Sequence, residues 1–435
     1  MFKNLLNRLT KNPAEQKNVM HWGGCSILRH ASMPLYTGEI HQAWCYRLHL
    51  GTDQMAMLGL PNTIIHHIMM VFSCMLTDRI TNRRRALVFL TACTCLGALG
   101  YFLMAIGPAS FRTMPANGVI QRGAYLVLIW LGFNILGTLV SPFYGPVSAA
   151  VECRAIHNSI RGRQWSIFGM ISGVVGLLLG AVGTFILRYV PYPLNFAACF
   201  GLSVLLILCA TWSISGVTEL PELAGETAPV QKKTSFVDDL KKIFGLRVFW
   251  ILMPANLLRG LGDGAGGYLA YVAFKHMNLG DDYAGYTMLL TNIALFLSYF
   301  IIMTTIDRFG AGKVLPATEI LLVIGLLGAV VTTNPHIFLG FYLLWRTMQQ
   351  LEASAIPLAH YAIVPTAVMG NFSAIRLAML TLTASISGTA VGFCLAHFAP
   401  LTVFLVCAVL KLMAGAGYCY GLLSVKKSEE SAPAN

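Results

Sequence analysis

An α-helix needs about 20 mostly apolar residues to cross a hydrocarbon core about 30 Å thick, and runs of that length recur along this whole chain. Ten stand out, at 54–77, 86–107, 123–151, 164–187, 194–216, 284–306, 314–333, 337–364, 372–397 and 400–423. Two more, 19–45 and 248–275, are interrupted by Arg, His, Asp or Glu and by clustered glycines. Apolar residues make up 56% of the chain and charged ones only 11%, with a mean hydropathy of +0.67, values that exclude a soluble domain of 435 residues. The fold class expected is therefore an all-α integral membrane protein with twelve transmembrane helices.

If the twelve spans alternate in direction, twenty-one Lys and Arg fall in the loops and termini of one side and five in those of the other. The positive-inside rule places the richer side, with both termini, in the cytoplasm. The net charge of +12 is then a topology signal, and nucleic acid is not expected as a partner. The longest polar stretch, 219–247, divides the spans six and six. The expected organisation is a cytoplasmic arm at 1–18, a six-helix bundle at 19–216, a cytoplasmic linker at 217–247, a second six-helix bundle at 248–424 and a cytoplasmic tail at 425–435. Within the linker, SFVDDLKKIFGL carries Phe236, Leu240, Ile243 and Phe244 at helical spacing, which suits the membrane surface. The arm is basic and lacks the short apolar core and cleavage site of a signal peptide, so it is expected to be retained. Eleven cysteines lie scattered in apolar segments without CxxC spacing, which favours packed, reduced thiols over disulfides or a metal site.

The densest cationic cluster, LTDRITNRRRALVFL, follows the second span, and TIDRFGAGKVLPATE follows the eighth. Asp78 and Arg79 align with Asp307 and Arg308, and the same offset brings Arg29 in SILRHASMPLY to within one position of Arg259 in NLLRGLGDGAGGYL. The two halves read as copies. Parallel six-span repeats joined by a cytoplasmic linker are a transporter architecture, with the solute site expected near mid-membrane between them.

With these residues the chain resembles the major facilitator superfamily, whose loop between helices 2 and 3 carries G-x-x-x-D-R-x-G-R-R. Asp78, Arg79 and Arg83 to Arg85 match it in the first half, and Asp307, Arg308, Gly310 and Lys313 in the second; Cys74, Met303 and Thr81 replace its glycines. After the fourth span, VECRAIHNSIRGRQW sets Glu152 ahead of Arg161, Gly162 and Arg163, similar to the family's 4–5 loop. The resemblance implies that Asp78, Arg79, Arg83, Glu152, Arg161, Asp307 and Arg308 form a conformational switch of cytoplasmic ion pairs. The alternative is that the cations act only as topology anchors. It further implies a monomer in the inner membrane of a bacterium.

Ionisable residues inside the bilayer are expensive and mark a pathway or a paired site. Arg29 and Arg259 both lie near the midplane, counting about 1.5 Å per residue. Trp22, Cys25, Arg29, Met33 and Tyr36 share one face of helix 1, an aromatic and cationic stripe suited to lining a solute cavity. Arg259 and Asp263 stand four apart and could instead neutralise each other. On helix 10, Arg346, Gln349 and Gln350 share a face, while Glu352 and His360 follow another. The expected solute-binding residues are Arg29, Tyr36, Arg259, Arg346 and Gln350. Asp263 and Glu352 are the first candidates for coupling to a proton or other ion, because desolvation can bring a carboxyl toward neutral pKa; His30, His66, His67 and His360 stand behind them.

No Walker-type GxxxxGK[ST] supports an ATP-driven pump and no nucleophile motif an enzyme, and neither a cofactor nor a metal is called for. The function expected is secondary active transport of a small, polar, anionic organic solute by proton symport and alternating access. Left open beside it are a proton-linked sugar symporter, a multidrug/proton antiporter and a non-transporting receptor on the same fold.

Overall fold

The computed structural model describes residues 12–76, 80–107, 124–220, 243–302, 311–363 and 369–430, together with Thr10, Lys241 and Phe309, and among these it contains helices and no strand. Each sequence span is matched by one helix or by a broken pair. Span 1 is α1 (Pro13–Ser32) and α2 (Gly38–Arg47); span 2 is α3 (Thr52–Leu76); span 3 is α4 (Arg83–Cys93) and α5 (Leu96–Ile106). Spans 4 to 6 are α6 (Ala124–Ala155), α7 (Asn158–Tyr189) and α8 (Leu194–Ser215). Span 7 is α9 (Arg247–Asp263) and α10 (Leu269–Met277), and α11 (Asp282–Ile301), α12 (Ala311–Val331), α13 (Pro335–Ile363), α14 (Met369–His397) and α15 (Pro400–Glu430) complete the set.

Local chemistry explains several boundaries. The first helix begins at Pro13, inside the stretch read as an arm. Asn12 caps it by accepting from the Ala14 N–H at 3.0 Å, and proline at the first helical position gives up no needed donor. The break between α4 and α5 has neither Gly nor Pro at the turn itself; there the Thr94 hydroxyl bonds the Thr91 carbonyl at 2.6 Å, competing with the helical ladder. Asp78, Arg79, Asp307 and Arg308 lie outside the described residues, as does the linker from 221 to 240.

The chain divides into two compact units. The first comprises Met1–Leu50, Leu58–Val230 and Asp281–Leu289, the second Gly51–Met57, Gln231–Gly280 and Leu290–Asn435, so the division falls inside α3 and α11. In the first unit α1 packs mainly on α8 and α7, and α5 on α6 and α8. Its core contains Val19, Trp22, Cys25, Leu87, Val147 and Phe168, and a second layer of aromatics gathers Trp44, Tyr101, Phe196 and Phe200. Gly285 on α11 permits a close crossing with α7: a Cβ there would stand 2.4 Å from the Thr184 Cα. In the second unit α12 packs on α13 and α15, and α9 on α15 and α14.

Large apolar side chains point outward from the long helices. Leu178 and Phe185 on α7 are more than 60% exposed, as is Val331 on α12, and Val406 and Val409 on α15 are about half exposed. Such surfaces are stable in hydrocarbon and unstable in water. Six stretches, Arg83–Ile106, Ile167–Tyr189, Leu194–Ser215, Val314–Val331, Ile375–His397 and Pro400–Gly421, are long and apolar enough to cross a membrane on composition alone.

Candidate functional site

Spans 1 and 7, the two that composition marks least clearly as transmembrane, are interrupted at equivalent places of the repeat. A 3₁₀ turn at Met33–Leu35 separates α1 from α2, and another at Gly264–Gly267 separates α9 from α10. Each ends on a tyrosine, Tyr36 or Tyr268, whose N–H returns to the carbonyl three residues earlier. Interrupting a helix inside the bilayer strands carbonyl groups, and hydroxyls take them up. Ser32 bonds the Arg29 carbonyl at 2.8 Å, Ser203 the Ser32 carbonyl at 3.1 Å and Thr37 the Met33 carbonyl at 2.7 Å. At the second break Ser387 of α14 bonds the Leu261 carbonyl.

In the first unit, Arg29 sits one turn before the break and lines a cavity of about 210 Å³ together with Ser32, Tyr36, Thr94, Asn134 and Ser141. Its guanidinium carbon stands over the Tyr144 ring, 3.7 Å from the centroid, and the guanidinium also hydrogen-bonds the Tyr144 hydroxyl. Among the described residues no carboxylate stands within ion-pair distance of Arg29. Met33 and Tyr36 lie on the same cavity wall, whereas Trp22 and Cys25 of the expected stripe are buried in the core of the first unit.

In the second unit, Arg259 is buried to 5% exposure and approaches Glu352 of α13 at 2.6 Å; the contact is ionic rather than an aligned hydrogen bond. Asp263, four residues on, is 3.9 Å from Arg259 and 2.5 Å from the Lys411 ammonium of α15. Lys411 also donates to both Glu352 oxygens, at 2.8 and 3.1 Å. Glu352 therefore stands between two cations and is fully buried. The spacing-based pairing of Arg259 with Asp263 is the weaker of its two contacts. Glu319 of α12 completes the cluster at 1% exposure, and beside it Tyr418 donates to Asn256 at 3.2 Å. Two glycines make room: a Cβ on Gly262 would stand 2.8 Å from the Lys411 Cγ, and one on Gly415 would stand 2.6 Å from the Glu319 Cγ.

Lys411 and Glu319 were passed over in the sequence. The signal that could have found them is a lone ionisable residue within an apolar run of membrane length, in 400–423 for Lys411 and 314–333 for Glu319.

Arg346 donates to Gln349 at 2.6 Å and lies 5.6 Å from the Trp345 ring; Gln350 is half-buried beside it, its carbonyl accepting from Ser354. α13 stays helical through Pro357 to Ile363, and the His360 side chain is outside the described set. Arg83 opens α4, and Glu152 is buried near the end of α6. Arg161 lies in the first turn of α7, its side chain undescribed.

Residues that no motif marked also fasten the end of α6. Asn18 donates to the Ala155 and Thr218 carbonyls, and Glu15 accepts from the His157 N–H at 2.8 Å. Arg154 pairs with Glu219 at 3.5 Å. At the beginning of α11, Asp281 receives Arg47 at 2.5 Å and Asn195 at 3.0 Å.

Two helical units, each with a broken first helix beside ionisable groups, define the transporter class of membrane proteins. Residues 47–379 match the family model of the Major Facilitator Superfamily, and the chain belongs to that superfamily. Among solved structures it is similar to a D-xylose–proton symporter (18% identity, TM-score 0.68, covering 93% of this chain and 96% of that one). It is also similar to a bacterial homologue of the human lysosomal transporter Spinster, inward-facing and unoccupied (14%, 0.68, 98% and 100%). The nucleoside transporter NupG is a third (12%, 0.65, 94% and 99%). At these identities the likeness is one of fold. No curated protein sequence matches the chain.

Proposed function

We propose that the chain is a secondary active transporter of a small anionic organic solute, driven by proton symport through alternating access of its two bundles. The observation that carries this reading is Arg29: a mid-span cation that lines a cavity, with no carboxylate partner among the described residues. A cation held in low dielectric without a counter-ion is costly, and a carboxylate or phosphate on the solute relieves that cost through bidentate hydrogen bonds. Tyr36 and the Ser32, Thr94 and Asn134 side chains supply the neutral polar contacts. The cavity of about 210 Å³ is lined by the first unit alone.

Arg346 and Gln350 are assigned to the solute route of the second unit. Arg259 was expected to hold the solute directly; its close contact with Glu352 assigns it to the coupling cluster with Asp263. Asp78, Arg79, Arg83, Glu152, Arg161, Asp307 and Arg308 are assigned state-dependent ion pairs at the cytoplasmic side, where both termini lie, in the plasma membrane of a bacterium.

The second reading, a proton-linked sugar symporter, draws on the same cavity, since hydroxyl and amide groups also suit sugar hydroxyls, and on the likeness to the D-xylose–proton symporter. Uptake of organic acids, sugars and nucleosides into proteoliposomes under an imposed proton gradient separates the two. For an anionic solute, Arg29→Gln abolishes uptake and Arg29→Lys restores little of it, because lysine keeps the charge without the fork. Full uptake by Arg29→Gln overturns the anion assignment.

A further inference from the structure

The cluster in the second unit holds two cations, Arg259 and Lys411, and three carboxyls, Asp263, Glu352 and Glu319. Four of the five pair off. Glu352 is shared by both cations and Asp263 is held by Lys411, which neutralises two positive charges with two negative ones. Glu319 is the remainder. It is 1% exposed, and among the described residues neither of its oxygens meets a hydrogen-bond donor. A carboxylate in that position would be a third negative charge in a dry interior, with nothing to satisfy its lone pairs. The Glu352 carboxyl is its close neighbour. Two ionised carboxylates cannot bond each other; one proton between them supplies the missing donor.

We propose that Glu319 is the proton-carrying group of this transporter: as a neutral acid it donates to Glu352, and Asp263 and Glu352 are its ion-paired setting rather than the proton carriers. The inference rests on the symport reading and narrows it to one residue. The proton step is simple. A proton from water on one side forms the Glu319 O–H bond and brings the cluster to zero net charge; breaking that bond returns the proton to water on the other side and leaves the cluster with one excess negative charge. That excess either recruits a cation's attention from Glu352 or forces the helices bearing the charges to rearrange, which is how protonation biases a two-state element. The groups facing Glu319 are Glu352 from α13, Lys411 from α15 and Arg259 from α9, with Asp263 and Tyr418 behind them. α10, which also packs on α12, adds no ion pair to the cluster among the described residues.

Infrared difference spectroscopy on the purified full chain tests this without a solute. The wild type should show the carbonyl-stretch band of a buried protonated carboxylic acid. The band should disappear in Glu319→Gln and persist in Asp263→Asn. Glu319→Gln keeps a neutral donor at the same place, so it should fold with wild-type thermal stability. A band that survives in Glu319→Gln, or a stability loss there with no band in the wild type, overturns the assignment. A second arm uses proteoliposomes loaded with a pH-sensitive dye and challenged with D-xylose, uridine or succinate. Solute-driven proton entry in the wild type and its loss in Glu319→Gln support the proposal; proton entry retained in Glu319→Gln overturns it while leaving transport intact. A Glu319 band with no proton movement for any solute overturns the symport reading while leaving the proton site in place.

Discussion

Arg29 and Arg259 stand at matching places of an internal repeat, each on the helix segment that precedes a break, and their surroundings are opposite. Arg29 lines an open cavity with a tyrosine ring as its nearest support. Arg259 is sealed among carboxylates and a lysine ammonium. A duplicated residue inherits its depth from the helix that carries it, but its chemistry comes from the neighbours that other helices deliver. In one unit those neighbours are hydroxyls and an amide, so the cation stays available. In the other they are Glu352 and Lys411, so the cation becomes part of an ion-pair lattice.

The comparison breaks most visibly at Glu352. Removing one partner of a buried charge pair costs about 3–5 kcal/mol, because the remaining charge loses its compensation. Glu352→Ala leaves both Arg259 and Lys411 short of an acid, so detergent-solubilised protein should unfold at much lower temperature or fail to accumulate. Wild-type stability in that variant would show the cluster to be solvated.

A smaller effect, of a different kind, is expected at Arg29. Hydrogen bonds to a charged group are worth about 1.5–3 kcal/mol, so Arg29→Ala should weaken equilibrium binding of an anionic solute by about 10–100-fold. Folding loses a cation–π contact of about 0.5–2 kcal/mol and a hydrogen bond to Tyr144. A collapse of folding in Arg29→Ala as severe as that in Glu352→Ala would erase the distinction between the two arginines.

The smallest effect lies ahead of the apolar part of span 1. Burial alone would raise the Glu15 carboxyl, but the His157 backbone N–H, the Thr10 hydroxyl and the His157 ring together hold it below its ordinary value of 4.5. A depressed carboxyl adds stability above that ordinary value and loses it as pH falls through the lower, folded value. Glu15→Gln should cost about 0.5–1.5 kcal/mol at neutral pH and flatten the acid side of a stability profile below pH 4.5. An unchanged acid slope would mean that the contact contributes nothing in solution.

Much of the fold was legible because a bilayer constrains sequence severely. A span must be apolar over about 20 residues whatever it packs against, so ten of the twelve spans and their order follow from hydropathy. The polarity of spans 1 and 7 was legible as well, but the 3₁₀ breaks at Met33–Leu35 and Gly264–Gly267 came only with the structure. Arg29 and Tyr36, read as one helical stripe, do line one cavity, although a 3₁₀ break separates them. The helix starting at Pro13 and the break at Thr94 were not read, because a single capping side chain or a threonine back-bond leaves no mark on hydropathy.

The sequence by itself determined the apolar spans, their repeat and several of the ionisable residues within them, because each of these depends only on composition and on spacing along one helix. Only the tertiary structure decided who pairs with whom. Asp263 was the natural partner of Arg259 by spacing, at four residues on the same helix. Side chains from α13 and α15 instead reach the charges of α9: Glu352 stands at 2.6 Å from Arg259, while Asp263 stands at 3.9 Å from it and pairs with Lys411. Spacing along a helix says which groups can meet. Buried charges choose among those and all others by distance and desolvation, and the closer partner on another helix prevails.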